Sequence, residues 1–457
     1  MAKNVVKTKE KFVPSGFTYR LKQFANAWYV LRGGIPFLIH AVLSKKLLPY
    51  LEHDVPADFM GVNVAPSSDN DKANYMYERL QELNVKCVRI DFGYDSFKNK
   101  HEEFVDGLIE RGFDVLIHLV QPANDASRMN KRTKTQQWRE FITKVFKRFH
   151  GKVEYIEVGT TPNRNTWSGY TILDYRKAFK IACEVREIGK YNFKFVAPNV
   201  SDFAPYFTIG AMQSLLSKKL KPEVMSDNLF VDRTGQPENY DWRAVTHKFK
   251  DVCKLNLVNK SKILKKIAIY YKTNTFFQTY AYWTMQPDEK PNKMRYVDEN
   301  QYVCYQIRYF TLCAAAGYFN RVYWGSICSH YKGIINDGYP FRPYPPFVHH
   351  KYDNYGELKN YRIRPGFYSL KNLIKYLPNS KFIKRHETQE NVYIFEFEKD
   401  QKKFFIAWTI DFEKESLSSI KGFYNTEDYQ VLDAMGDELS GEIDITEKPI
   451  FLIKKIN

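Results

Sequence analysis

At 457 residues, with 44% hydrophobic and 16% aromatic side chains, the chain can bury a large core; extended disorder and a single small domain are both excluded. The length suits a barrel of roughly 250–350 residues plus an accessory module. Lysine and arginine number 69 against 52 acids, a net charge of +17, which favours anionic partners such as acidic glycans or membrane surfaces; without zinc-finger spacing or a glycine-aromatic RNA signature, nucleic acid is not expected among them.

The N-terminal segment, residues 1–57, does not read as a cleavable signal peptide. Within its first 50 residues Lys3, Lys7, Lys9, Lys11, Arg20, Lys22, Arg32, Lys45 and Lys46 face one acid, Glu10. Its most apolar run, Trp28 to Leu43, is interrupted by Arg32, by a break at Gly33-Gly34-Ile35-Pro36 and by His40, and is too short to span a bilayer. Two readings stand. The segment lies on an anionic membrane surface with Phe24, Trp28, Tyr29, Phe37 and Leu38 inserted, or it packs as helices on the outside of the main domain.

From residue 58 short β-rich runs alternate with helical periodicity, the pattern of a parallel α/β sheet. Phe59–Asn63 reads as the first strand, Asp71–Leu83 as a helix, Cys87–Phe92 as the second strand and Glu102–Arg111 as a helix stopped by Gly112. Val115–Val120, Val153–Val158 and Phe193–Ala197 read as strands three to five, with helices over 135–149 and 172–189 between them. Asn228–Asp232 reads as strand six, Lys266–Tyr271 as strand seven, and Arg321–Trp324, after a helix from Glu299, as strand eight. Eight β/α units without a glycine-rich phosphate loop favour a closed (β/α)8 TIM barrel over residues 58–377. A Pro-, Tyr- and Arg-rich loop covers 339–365. Residues 378–457 carry short alternating strands, a small C-terminal antiparallel β-domain of the sandwich kind.

Six cysteines are scattered without a C-x-x-C pair, which fits a reducing compartment and leaves the sequon-like Asn199-Val-Ser and Asn259-Lys-Ser without a role. No residue grouping has metal-ligand spacing, so no metal and no cofactor is expected. The 33 tyrosines and 34 phenylalanines suit sugar subsites, where ring faces stack on pyranoside C–H faces; compositional bias of the genome gives the same excess.

Tyr155-Ile156-Glu157-Val158-Gly159-Thr160-Thr161-Pro162-Asn163, followed by Trp167, resembles the strand-four motif of clan A glycoside hydrolases, on the branch of β-xylosidases and α-iduronidase-like enzymes. The resemblance extends from residue 58 to the end and implies a TIM barrel that acts on glycans with two glutamates. At the position of the acid/base Asn-Glu pair stand Thr160 and Thr161, and at the nucleophile position the strand-seven reading puts Tyr271. Retaining hydrolysis needs two carboxyl groups about 5–5.5 Å apart, so hydrolysis by the family mechanism is not expected. Asp91, Asp232 and Asp337, near strand ends, are candidate substitutes; the plainer reading pairs such an Asp with Arg89 or Arg233. Arg89, His118, Asn163, Trp167, Asn199 and Trp324 are the candidate sugar contacts, with Trp324 as a stacking floor.

The sequence thus predicts a glycoside hydrolase-like, carbohydrate-binding protein, cytoplasmic or peripheral at the inner face of a bacterial membrane, serving surface polysaccharide or lipopolysaccharide metabolism. The rivals are an active glycosidase or transglycosylase with displaced carboxylates, and a non-catalytic scaffold that binds protein partners.

Overall fold

The computed structural model describes residues 17–164, 168–231, 235–241, 253–285, 296–339, 356–410 and 413–455. Eight parallel strands close in chain order: β1 Met60–Val64, β2 Cys87–Phe92, β3 Asp114–Leu119, β4 Tyr155–Val158, β5 Lys194–Ser201, β6 Val224–Asn228, β7 Thr275–Ala281 and β8 Arg321–Ser326. Closure comes from β1 pairing with β8 (Met60↔Val322, Val62↔Trp324). This is the expected (β/α)8 barrel.

Helices α2 Asn70–Leu83, α3 His101–Glu110, α4 Arg132–Phe149, α5 Ile172–Ile188, α6 Pro205–Leu216, α7 Leu257–Tyr270 and α8 Glu299–Ala316 form the outer ring, with α9 Pro365–Tyr376 after the barrel. Their starts carry the expected capping chemistry. Asp69 accepts the amides of Asp71 and Lys72, Thr171 that of Asp174, and Asp298 that of Gln301. Gly317 ends α8 at φ 68°, where a Cβ would sit 2.9 Å from the His53 ring.

Two expectations fail here. Lys266–Tyr271 is not strand seven: Lys266–Tyr270 is the last part of α7, capped by Asn256 and burying Leu264, Ile267 and Ala268. Strand seven is Thr275–Ala281, and strand six ends at Asn228 where the sequence reading began it.

Before the barrel runs one long helix, α1 Phe17–Leu43, continuous through Gly33-Gly34-Ile35-Pro36 where a break was expected. Proline in a helix interior costs about 3 kcal/mol; packing of the flanking residues offsets it. Gly33 lies so close to α6 and to Tyr271 that a Cβ there would meet Ile209 Cγ2 at 2.8 Å and the Tyr271 hydroxyl at 2.9 Å. Phe37 is buried against Tyr270, and Tyr29 accepts a hydrogen bond from Arg176, so both turn inward rather than outward. Phe24, Trp28 and Leu38 are exposed.

The C-terminal module is a six-stranded antiparallel sheet in the order His53–Asp54, β9 Lys381–Arg385, β10 Val392–Lys399, β11 Lys402–Thr409, β13 Ile450–Lys454, β12 Tyr429–Leu432. Alternation divides it cleanly. Phe395, Phe397, Phe404, Ile406 and Trp408 join the barrel's core, while Val392, Ile394, Phe405 and Leu452 pack under Leu417, Phe423 and Ile445. Trp408 Nε1 donates to Glu238, which also receives Arg308 of α8 at 2.9 and 2.6 Å. Sheet and barrel therefore share one core and one buried ion pair.

Candidate functional site

Inside a closed barrel every second residue of each strand points to the axis. Cys87, Leu116, Tyr155, Val196, Val224, Phe277 and Tyr323 fill the lower interior as an apolar cluster. Two residues further along the strands the character changes. Asn63, Arg89, His118, Glu157, Ser226 and Thr279 form a polar upper layer, with Asp91 and Asn228 above it; of these eight, only Asp91 is not buried. This layer lies at the C-terminal face, where barrel sites are built.

Arg89 organises one half of it. Its Nε and Nη2 reach Glu157 Oε2 at 2.7 Å, and its Nη1 donates to Asn63 Oδ1 at 2.8 Å and Asp91 Oδ1 at 3.2 Å. Burial disfavours the guanidinium charge, but Glu157 and Asp91 outweigh it and hold the Arg89 pKa above its ordinary value. One guanidinium thus spans both carboxylates of the layer. Asn63 in turn donates to the carbonyls of Trp324 (2.7 Å) and Thr279 (3.1 Å). His118 stands between two acceptors, Asp91 Oδ1 at 2.7 Å and the Gly159 carbonyl at 3.0 Å.

The other half is an amide–hydroxyl chain. Thr279 Oγ1 donates to Asn228 Oδ1 (2.8 Å), and Asn228 Nδ2 to Asn199 Oδ1 (2.7 Å). Asn199 sits at φ 54° on an irregular stretch of β5; asparagine tolerates that region better than most residues. Thr161, after β4, is held at φ 34°, a cost of about 1–3 kcal/mol of the kind that collects at functional sites. Its loop is braced by Asn163, whose amide exchanges two hydrogen bonds with the Ser201 backbone at 2.7 and 2.9 Å. Glu157 Oε1, Thr161 Oγ1 and Asn199 Nδ2 are buried and have no hydrogen-bond partner among the described residues.

The rim is aromatic. Phe230, Tyr280 and Tyr282 stand edge to face at centroid distances of 5.3–5.9 Å. Lys332 donates to the Tyr280 hydroxyl at 2.6 Å and lies 4.3 Å from the Tyr282 ring centroid. Burial is the main cause that pushes the Tyr280 phenol up to about 12.

Of the candidates from sequence, Arg89, Asp91, His118 and Asn199 come together in this layer, with Thr161 beside it. Asn163 braces the loop. Tyr271 is elsewhere: it caps α7 on the barrel's outside and donates to the Ile209 carbonyl at 3.1 Å. The end of strand seven carries Thr279 and Tyr280 instead. Trp324 is no stacking floor. It points outward, fully buried, with Nε1 on the Tyr302 hydroxyl at 2.6 Å and its ring stacked on Trp283. Asp337 accepts the Tyr339 amide in the loop after β8. Asp232, Arg233 and Trp167 lie outside the described residues, as does most of the 339–365 loop. Asn63, Ser226, Asn228, Thr279, Tyr280 and Lys332 went unnoticed in the sequence; Ser226, Thr279 and Tyr280 fall outside the strands read there.

Among the described residues one grouping with ligand-like proximity exists that spacing did not reveal, at the opposite end: Asp58, Cys87 and Asp114 bring their donor atoms within 4.8 Å. Arg321 already bridges both carboxylates, and burial pushes the Cys87 thiol up to about 12. The arrangement is a partly exposed ion-pair network around a buried arginine, poorly suited to a cation.

The chain superposes on a family 39 glycoside hydrolase from the gut symbiont Bacteroides cellulosilyticus WH2 with TM-score 0.65 and 16% identity, over 88% of this chain and 81% of that one. The fold is that of a clan A glycoside hydrolase. A family 39 β-xylosidase from Caulobacter crescentus (TM-score 0.55, 10% identity, 89% and 98% coverage) and a family 30 endoxylanase from Clostridium papyrosolvens C71 (0.53, 11%, 90% and 98%) share this glycoside-hydrolase barrel and its β-domain. No protein-family model and no curated protein matches the chain by sequence.

Proposed function

We propose that this chain uses a glycoside-hydrolase barrel to bind a carbohydrate and does not cleave it by the two-glutamate route. The observation that carries the reading is the polar upper layer at the barrel's C-terminal end, with the partly exposed Asp91 and Tyr280 above it; its carboxylates, amides and hydroxyls suit a ligand that both donates and accepts. Sugar hydroxyls do both. The aromatic rim supplies ring faces, and Lys332 with the net charge of +17 supports an acidic glycan, of the kind found in bacterial surface polysaccharide or lipopolysaccharide.

Against hydrolysis stands the engagement of both carboxylates. Asp91 and Glu157 are tied to Arg89, and threonines or a tyrosine occupy the ends of β4 and β7. The test is titration calorimetry with acidic oligosaccharides on the full chain, beside an aryl-glycoside assay. Binding that falls about tenfold in Asn199→Ala or Tyr280→Ala, without turnover, supports the proposal. One observation favours a second reading, hydrolysis by displaced carboxylates: Asp91 keeps 23% of its side chain exposed beside His118. Turnover abolished by Asp91→Asn would establish that reading instead.

A further inference from the structure

We infer that the outward face of α1 docks the protein onto an anionic lipid surface. Leu21, Phe24, Trp28, Leu31, Ile35, Leu38 and Val42 recur down this helix at alternating steps of three and four residues, and every one is more than half exposed, up to 82% for Phe24 and Val42. That spacing keeps them in one line, along a helix roughly 40 Å long. The opposite face is fully committed. Lys22 pairs with Asp174 at 2.7 Å, Asn26 accepts the Ile172 amide, and Gly33 and Phe37 are buried against the ring helices. The helix is therefore anchored on one side and bare on the other. Continuous apolar surface of this extent on a soluble domain marks an interaction site.

Charge selects the occupant. Residues 12–51 contain no Asp or Glu, and Arg20, Arg32, Lys45 and Lys46 are exposed beside or just beyond the stripe. Lys3, Lys7, Lys9 and Lys11 precede it. A second copy of the helix would offer the right apolar spacing, but coiled-coil partners are matched by opposite charges flanking the seam; here the flanks carry Ala25, Ala27, Arg32 and Ile39, with no acid to complement the one cation. An anionic bilayer satisfies both halves of the pattern, taking Phe24 and Trp28 into its interface and the cations at its headgroups. No described helix is long and apolar enough to cross a membrane, so the geometry is that of a helix lying in the surface.

The experiment is co-sedimentation of the full chain with vesicles of phosphatidylcholine alone and of phosphatidylcholine mixed with phosphatidylglycerol, alongside light scattering of the lipid-free protein. Truncating α1 would also strip the barrel wall, so the variants are substitutions at exposed positions. The proposal expects binding to the anionic vesicles only. Phe24→Glu/Leu31→Glu/Leu38→Glu should lower it at least about tenfold with an unchanged thermal midpoint. Arg20→Gln/Arg32→Gln/Lys45→Gln/Lys46→Gln, with the stripe intact, should weaken it about tenfold as well, as should raised salt. Absence of binding to anionic vesicles, or binding that the stripe variant leaves intact, overturns the proposal. So does a lipid-free dimer that the stripe variant converts to monomer, which would assign the face to a second copy.

Discussion

Replacing Arg89 by methionine tests the central claim about the upper layer. The guanidinium makes its contacts while 3% exposed, and Glu157 beneath it is fully buried. Removing one member of a buried pair typically costs about 3–5 kcal/mol, because the remaining charge is stranded. Arg89→Met should therefore lower the urea-unfolding free energy by about that much. Asp91 adds little to the cost, since it is partly exposed and keeps His118. The double variant Arg89→Met/Glu157→Gln, whose neutral amide needs no cation, should recover more than half of the loss. Urea titrations of the two single variants and the double variant give the coupling energy directly. A single-variant loss under ~1 kcal/mol, or two substitutions that simply add, would mean that Arg89 does not hold Glu157 and that the carboxylate is available for other chemistry.

Asp227 is buried in β6 facing the ring helices, neither oxygen has a partner among the described residues, and burial raises its pKa well above 3.8 against a weaker opposing pull from Lys260. A raised acid keeps its proton when folded and loses it when unfolded, so stability should fall by about 1.4 kcal/mol per pH unit above that value until the folded group titrates; Asp227→Asn should abolish the slope in denaturation curves taken from pH 4 to 8. Tyr271→Phe should leave glycan affinity unchanged while costing about 0.5–1.5 kcal/mol of stability for the lost bond to Ile209; an affinity loss would return Tyr271 to the site. Glu396, held at about 2 chiefly by its hydrogen bond from His386 and also by Lys403, against the opposing effect of burial, is the reverse case to Asp227. Its contribution is present above pH 4.5 and lost as pH falls through 2, so Glu396→Gln should flatten acid denaturation across that window.

The barrel was legible because each β/α unit repeats the same contrast between a short apolar run and a longer amphipathic one. Strand seven was misread for a physical reason. Ile267-Ala268-Ile269-Tyr270-Tyr271 has strand-like composition, yet its Leu264, Ile267 and Ala268 fall on one helical face, and tertiary packing decided the matter. Misplacing that unit put Tyr271 at the rim and hid Thr279 and Tyr280. Trp324 was misplaced by parity alone, since its neighbour Tyr323 is the inward residue. Arg89, Asp91 and His118 were found because charged residues in apolar strands stand out. Asn63, Ser226 and Asn228 are small and uncharged, and only the closed sheet reveals that they share a layer with them.

His53 pairs with Phe382, and Asp54 with Lys381, so this strand must wait for partners made much later in synthesis. Contacts so far apart in sequence form slowly. During that delay the N-terminal third holds an open barrel edge and a bare apolar helix in the same nascent chain, and both invite aggregation. Under the proposed docking of α1, a surface that receives the helix early would shield one of them, and the order of docking and folding would then matter.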